Sequence, residues 1–183
     1  MDGVKLLALL TLISNLFLAG VIFSYLLKVV GKAQLWNIMY PLLSNRAVLM
    51  GLLVSLTATL GSLYFSEKRG FTPCILCWYQ RILMYPQVAL FATALYLKKK
   101  DIYQYILPIS IFGFLIAGYH YYLQNNPNAF APCSAVGFSV SCSERYSTTF
   151  GYITIPFMSL SAFALIIVFM LVLRSSVKIN NKS

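Results

Sequence analysis

Five long apolar stretches dominate the chain and decide which solvent it can fold in. A helix needs roughly 20 predominantly apolar residues to cross the hydrocarbon core of a bilayer. Of the 183 residues, 60% are hydrophobic and 10% are charged, whereas about a quarter of the residues of a soluble domain are charged. The pattern therefore predicts an all-α membrane protein with spanning helices at residues 6–27, 47–65, 74–97, 102–123 and 152–173.

The first apolar stretch has a second interpretation, as a cleaved signal peptide. Lys5 would supply a thin basic region and Ala19 lies near a candidate cleavage point. The apolar run is longer than a typical signal-peptide core, and Lys28 and Lys32 follow it directly. These features favour a retained transmembrane helix.

The connector at residues 28–46 carries apolar side chains of its own. Its residues Leu35 to Met39 are expected to lie flat at the membrane interface, with Trp36 at the level of the headgroups. Pro41 is expected to end any helix that forms there.

The basic residues predict how the chain crosses the membrane. Lys and Arg number 14 against 4 Asp and Glu, and three basic residues fall in each of the segments 28–46, 98–100 and 174–183. The segments 66–73 and 124–151 carry almost no net charge. Because basic segments face the cytoplasm, both cysteine-bearing segments are expected outside it, where disulfides persist. This distribution also accounts for the net charge of +10 without a nucleic-acid partner.

Cys74 and Cys77 stand three residues apart at the start of the third apolar stretch. Unpaired backbone N–H groups and the helix dipole favour negative charge at a helix N-terminus. Arg81 follows Cys77 by four residues, so it lies on the same helix face and can stabilise an adjacent anion. The spacing predicts a reactive thiolate at Cys77. A structural disulfide and half of a zinc site are the alternatives.

A second pair, Cys133 and Cys142, encloses eight small and uncharged residues. A disulfide across this segment is feasible, and it is expected to be exposed and easily attacked. The alternative is a structural loop staple. Zinc binding by all four cysteines would require a second close pair, and a spacing of eight residues fits that poorly.

His120 is the only histidine of the chain and falls near the end of the fourth apolar stretch. An ionisable residue inside a span is a functional candidate, although a histidine at a helix end also serves as a simple interfacial hydrogen-bonding group. The sequence has no Ser/His/Asp set, no Gly-rich phosphate loop and no paired carboxylates within a span. Hydrolysis, nucleotide chemistry and ion transport therefore lack their usual residues.

Two motifs are similar to those of a known family. Pro73–Arg81 followed by Ile82–Pro86 resembles the signature of the DsbB disulfide bond formation proteins, especially of their BdbC branch. Val140–Ser143 and Gly151–Phe157 resemble the same branch. The resemblance covers about residues 47–173 and implies a four-helix transmembrane bundle core. The chain departs from the family at residues 1–46, an additional N-terminal transmembrane helix and connector, and ends in a basic cytoplasmic tail at 174–183.

The resemblance implies an oxidoreductase of the bacterial inner membrane. Such a protein re-oxidises a DsbA-like protein of thioredoxin fold and passes the electrons to a membrane quinone, ubiquinone or menaquinone. By motif, Cys133 would form the mixed disulfide with the partner and Cys142 would be its exchange mate. The electrons would pass to Cys74 and Cys77.

The resemblance also assigns residues to the quinone. Cys77 would lie nearest to it, and Arg81 would stabilise the complex of the thiolate with the quinone. His120 falls where the family often has a histidine or another polar residue near the quinone. Gln80 is given no role beyond hydrogen bonding. The competing function is a non-enzymatic membrane scaffold or transporter whose extracytoplasmic loops carry structural disulfides.

Overall fold

The computed structural model describes residues 3–126, 141–143 and 148–180, and within these residues the chain is helical. A π-helical turn at Tyr64–Lys68, here called the π turn, continues α2. The predicted all-α class is confirmed. The helices are α1 (Gly3–Val29), α2 (Gln34–Leu63), α3 (Ile75–Tyr96), α4 (Tyr103–Asn125) and α5 (Ile155–Asn180).

Most of these helices are suited to a bilayer. In the described part of the chain, α1, α2 with its π turn, α4 and α5 are each long and apolar enough to cross a membrane. At 22 residues α3 is about 33 Å long, which is sufficient, but Gln80, Arg81 and Gln87 interrupt its apolar sequence. It packs against both α2 and α4, so its polar side chains face protein neighbours. The chain is a multi-pass membrane protein.

Helices α2 to α5 form a bundle in which α2 and α4 each pack on both α3 and α5. Its centre is aromatic, with Phe91 and Phe163 fully buried. Gly51 lies against the Phe91 ring and Gly113 against the Phe163 ring, so closely that neither position has room for a Cβ atom. Small residues let membrane helices approach closely, and these two glycines have that role here.

Short connections join α1 to α2, α2 with its π turn to α3, and α3 to α4, which makes each of these pairs antiparallel. The end of α2 therefore meets the starts of α3 and α5 and the end of α4. Hydrogen bonds confirm this: Arg81 on α3 donates to the carbonyl of Ser62 on α2, and Tyr121 on α4 donates to the carbonyl of Tyr152 before α5. We call this the cysteine end of the bundle. The opposite, basic end holds Lys28, Lys32, Lys98–Lys100 and Arg174.

The connector before residue 47 differs from the prediction. Helix α2 begins at Gln34 and continues through Pro41, so the interpretation of a flat interfacial helix ended by that proline is wrong. Trp36 is only 8% exposed and contacts Tyr25 of α1, with ring centroids 5.2 Å apart. Tertiary packing of this kind compensates for the backbone hydrogen bond that a proline removes.

Helix α2 is longer than is needed to cross a bilayer. Its 30 residues extend about 45 Å, which is about 15 Å more than the hydrocarbon core of a bilayer. The first turns of α2 can therefore project beyond the bilayer at the basic end. Arg46, which is exposed, then lies near the interface.

Candidate active site

The start of α3 brings two cysteine sulfurs together. Cys74 is the extended residue that precedes the helix, with φ −74° and ψ 171°, and its carbonyl accepts a hydrogen bond from the Trp78 amide. Cys77 lies in the first turn of the helix. The two Sγ atoms are 3.2 Å apart, and both cysteines are free. A C-x-x-C pair at a helix start therefore forms a close dithiol, as the sequence predicted.

His120 from the end of α4 completes a buried polar chain with this dithiol. Its Nε2 lies 3.6 Å from Cys74 Sγ and its Nδ1 lies 3.0 Å from the amide nitrogen of Gln80 on α3. His120 is 2% exposed and Gln80 is 6% exposed. Because the Gln80 amide is a donor, it leaves the proton of a neutral imidazole on Nε2, which faces the Cys74 sulfur.

These contacts determine which sulfur carries negative charge. The hydrogen bond with Cys77 is the largest effect and lowers the pKa of the Cys74 thiol from its ordinary value of 9.0 to about 4; burial opposes this shift and His120 adds to it. The sequence predicted the stabilised thiolate at Cys77, whereas in the dithiol form the stabilising contacts fall on Cys74. The main reason is the hydrogen bond between the two sulfurs, and the buried imidazole adds to it through a long-range contact that residue spacing does not reveal.

Arg81 is hydrogen-bonded to residues of α2 and of the π turn. Its Nη2 donates to the Ser62 carbonyl at 3.3 Å and also to the Ser66 hydroxyl in the π turn. Its guanidinium carbon lies 5.4 Å from the centroid of the Trp78 ring, a cation–π distance. These described partners are uncharged, so the positive charge of Arg81 remains available to an anion nearby. An arginine inside a span is costly unless it has a partner, and Ser62 and Ser66 supply hydrogen bonds to it.

A cavity of about 330 Å³ opens beside the dithiol. Its thiol, amide, guanidinium and imidazole groups lie at the cysteine end, where Cys77, Gln80, Arg81 and His120 line it. The walls away from this end are mainly apolar, with a few hydroxyl residues such as Ser14 and Thr57, and come from α1, α2, α3 and α5. The volume lies within the range of small-molecule sites, roughly 300–1,000 Å³, which are commonly apolar with a few placed polar groups. Wall residues of the core bundle include Leu53, Val54, Met84, Ala162 and Leu165.

Cys142 lies close to the same site. It is disulfide-bonded, only 1% exposed, and belongs to the buried cluster that contains Cys74, Leu76 and Leu123. The expectation of an exposed bridge is therefore wrong at Cys142, because apolar side chains from α3 and α4 cover it. Cys133 lies outside the described residues, so its pairing with Cys142 stays a prediction.

The donor atoms of Cys74, Cys77 and His120 all lie within 4.8 Å of one another, a spacing compatible with one metal ion. Zinc binding by all four cysteines would require Cys142 as a free thiolate. Since Cys142 is disulfide-bonded, that interpretation is wrong.

Comparison with known proteins places this site in a family. A family profile described as "Disulfide bond formation protein DsbB" matches residues 44–173. The chain is 46% identical over 136 residues to Disulfide bond formation protein C of Bacillus subtilis (strain 168), which covers 72% of this chain and 96% of that protein. It is 41% identical over 135 residues to a Probable disulfide formation protein of Coxiella burnetii (strain CbuK_Q154), covering 73% and 90%.

A third relative is the Probable disulfide formation protein C 1 of Bacillus anthracis, 47% identical over 114 residues that cover 62% of this chain and 81% of that protein. No solved structure matches the chain significantly. The matched region contains the dithiol, the arginine and the histidine described above. The chain therefore belongs to the DsbB family of disulfide bond formation proteins.

Proposed function

We propose that the protein is a thiol:quinone oxidoreductase that re-oxidises a DsbA-like protein of thioredoxin fold and passes two electrons to ubiquinone or menaquinone. Membership of the DsbB family supports a role in disulfide bond formation. The observation that carries the proposal is a free dithiol, Cys74 and Cys77, with Cys77 on the wall of an apolar cavity. A purely structural disulfide would not require an adjacent apolar cavity.

The first exchange takes place at the Cys133–Cys142 disulfide. A thiolate of the reduced partner attacks one sulfur, and the second partner thiol then releases the partner as a disulfide. Both electrons now reside in the thiols of Cys133 and Cys142. Because Cys142 is buried, the attack falls on Cys133, which agrees with the role that the motif assigns to it.

The second exchange is internal and transfers the electrons to the helix pair. The Cys142 thiolate attacks Cys74, with which it shares a buried cluster, and Cys77 leaves as a thiolate on the cavity wall. Cys133 then resolves the mixed disulfide and restores the Cys133–Cys142 bridge. Proximity within one chain speeds such exchange. The result is a bridged Cys142 with a free Cys74–Cys77 pair, which is the combination in this structure.

The cavity fits a quinone chemically. Its apolar walls suit a prenylated ring, and Arg81 and His120 bring polar groups to one end of it. A bound quinone supplies an electron sink that takes up two electrons and two protons. The protein contributes the Cys74 thiolate beside His120, the Cys77 sulfur at the wall, and the positive charge of Arg81. Re-forming the Cys74–Cys77 bond releases two electrons and the proton of the Cys77 thiol, and the second proton, which Cys74 lost when it ionised, is taken back from solvent.

We place the protein in the bacterial inner membrane with its cysteine end outside the cytoplasm. The basic residues at the opposite end of the bundle support this orientation. Disulfide exchange with a secreted partner also requires an oxidising compartment. A tag inserted after Asn126 should be accessible from outside intact cells, and a tag after Lys100 should not. The reverse result would contradict the orientation.

The deciding experiment measures quinone reduction by the protein in lipid nanodiscs, with a reduced thioredoxin-fold dithiol as electron donor. We expect turnover with the unaltered chain and none with Cys74→Ser or Cys77→Ser. Cys133→Ser serves as the matched control, because it should block partner oxidation while leaving the Cys74–Cys77 pair oxidisable by quinone. Pairs that exchange with neither substrate would favour the scaffold or transporter instead.

A further inference from the structure

The cavity has a wall that lies outside the family match. The match begins at residue 44, whereas the cavity is also lined by Leu7, Leu10, Thr11 and Ser14 of α1. These positions follow the spacing i, i+3, i+4 and i+7, which places them on one face of a helix. Seven residues of helix span about 10 Å, so this face extends over two turns of the cavity.

The α1 wall of the cavity packs closely against the core bundle. Leu7 packs over Gly61 of α2, where an added Cβ atom would lie 3.1 Å from a Leu7 methyl carbon. Ala8 is fully buried, and the rings of Phe17 and Phe169 on α5 have centroids 6.2 Å apart. Side chains on another face of α1 are exposed, including Ile13 at 54% and Leu16 at 67%. The helix therefore presents one definite face to the cavity.

The depth of the cavity follows from the direction of α1. Leu7 lies beside Gly61, near the cysteine end, while Ser14 is two turns further from that end. The Thr11 and Ser14 hydroxyls donate to the carbonyls of Leu7 and Thr11, both at 2.8 Å, so they are satisfied within the helix. They present small side chains to the cavity. These small side chains therefore leave space on the α1 side of the cavity, where a ring substituent or tail would lie.

We propose that α1 is part of the substrate site and that its small residues, above all Ser14, determine the cavity volume that the tail of the quinone can occupy. This inference rests on the proposed function, since it assigns a substrate-specificity role in the same cavity. Residues 1–46 thereby gain a function beyond anchoring. The core bundle supplies the redox groups, and α1 supplies the wall that selects among tailed quinones.

The test compares Ser14→Trp, which fills the cavity beside α1, with Ile13→Trp, which places the same ring on the exposed face. With the full chain in nanodiscs, we expect Ser14→Trp to raise the KM for a decyl-tailed quinone roughly tenfold or more, as steric changes in apolar pockets do. The KM for a tailless naphthoquinone should change less. Ile13→Trp should leave both KM values unchanged. Partner oxidation at saturating tailless quinone reports whether each variant is folded.

A second measurement uses the unaltered chain and a tailed azidoquinone as a photolabel. Trypsin cleaves after Lys5 and Lys28, so α1 is released as one peptide of residues 6–28. We expect the photolabel to be found in this peptide, and we expect an excess of unmodified quinone to reduce the labelling. Equal KM values for the two tryptophan variants, or label absent from the peptide, would overturn the inference while leaving the proposed function intact. No quinone reduction by the unaltered chain would overturn both.

Discussion

Two buried glutamines on α3 make parallel contacts to α4 with different consequences. Gln80 reaches His120, which in turn reaches the Cys74 sulfur. Gln87, two turns further along, accepts a hydrogen bond from Ser110 at 3.1 Å and donates to the Leu83 carbonyl at 2.9 Å. Both residues are less than 10% exposed. The first network ends on a reactive sulfur, while the second ends on the backbone of its own helix.

The difference shows that burial and residue type do not by themselves indicate function. A buried amide must be hydrogen-bonded wherever it lies, and Gln87 meets that requirement by linking two helices. Gln80 meets it through an imidazole whose other nitrogen faces a thiol. We therefore propose that the group at the end of each network decides whether the network is functional, and the two networks offer matched experiments.

The largest effect is expected from His120→Ala. The variant removes the imidazole that faces Cys74, and groups that transfer or hold protons in this way contribute about 10²-fold or more to rate. Quinone reduction should fall by that order. Ser110→Ala, the equivalent change in the other network, should keep turnover near that of the unaltered chain. Equal losses in the two variants would show that the networks do not differ in function.

The pH dependence of Cys74 tests the same comparison. With a pKa near 4, the thiolate persists above that pH, and alkylation of Cys74 in the dithiol form should remain fast at pH 6. Cys77→Ala removes the largest cause of the shift, so the pKa should rise toward 9.0 and alkylation at pH 6 should slow markedly. His120→Ala should raise the pKa less. Gln87→Leu should leave the profile unchanged, and a shift in that variant would contradict the separation of the networks.

A smaller effect is expected from Gln80→Leu. The imidazole remains, but its Nδ1 loses the donor that holds the proton on Nε2. Turnover should therefore fall less than in His120→Ala, and the alkylation profile of Cys74 should move in the same direction. Combining Gln80→Leu with His120→Ala should add little, because both act through one imidazole. Additive losses in the double variant would place Gln80 outside this network.

The smallest effect on turnover is expected from Gln87→Leu, which should lower the stability of the fold instead. Interhelical hydrogen bonds in membrane proteins contribute on average about 0.6 kcal/mol, so unfolding in detergent should become easier by roughly that amount. Quinone KM and kcat should stay the same. A loss of turnover without a loss of stability would give Gln87 a functional role that its contacts do not indicate.

Local spacing made part of the site predictable. The proximity of Cys74 and Cys77, and the position of Arg81 one turn later, depend only on helical periodicity. The apolar stretches likewise predicted the helices, since lipid leaves the backbone few alternatives. The predicted and observed helix boundaries differ most at the start of α2, which begins at Gln34 and continues through Pro41. There the packing of Trp36 against Tyr25 outweighs the tendency of proline to end a helix.

The remaining features depend on register between helices. Gln80 and Gln87 are seven residues apart and look equivalent in the sequence; only the antiparallel register of α3 and α4 gives one His120 and the other Ser110. The burial of Cys142 depends on its contacts with Cys74, Leu76 and Leu123, which are distant from it in the sequence. The hydrogen bond from Arg81 to the Ser62 carbonyl likewise depends on the register between α2 and α3.

The most direct test of the central claim follows thiols and quinone together. The reduced protein in nanodiscs is mixed with quinone alone, and alkylation with mass spectrometry counts the remaining thiols while absorbance reports hydroquinone. Our account predicts that Cys74 and Cys77 lose their thiols together, with one hydroquinone formed for each pair. Hydroquinone formed while both thiols persist, or thiols unchanged in excess quinone, would contradict it.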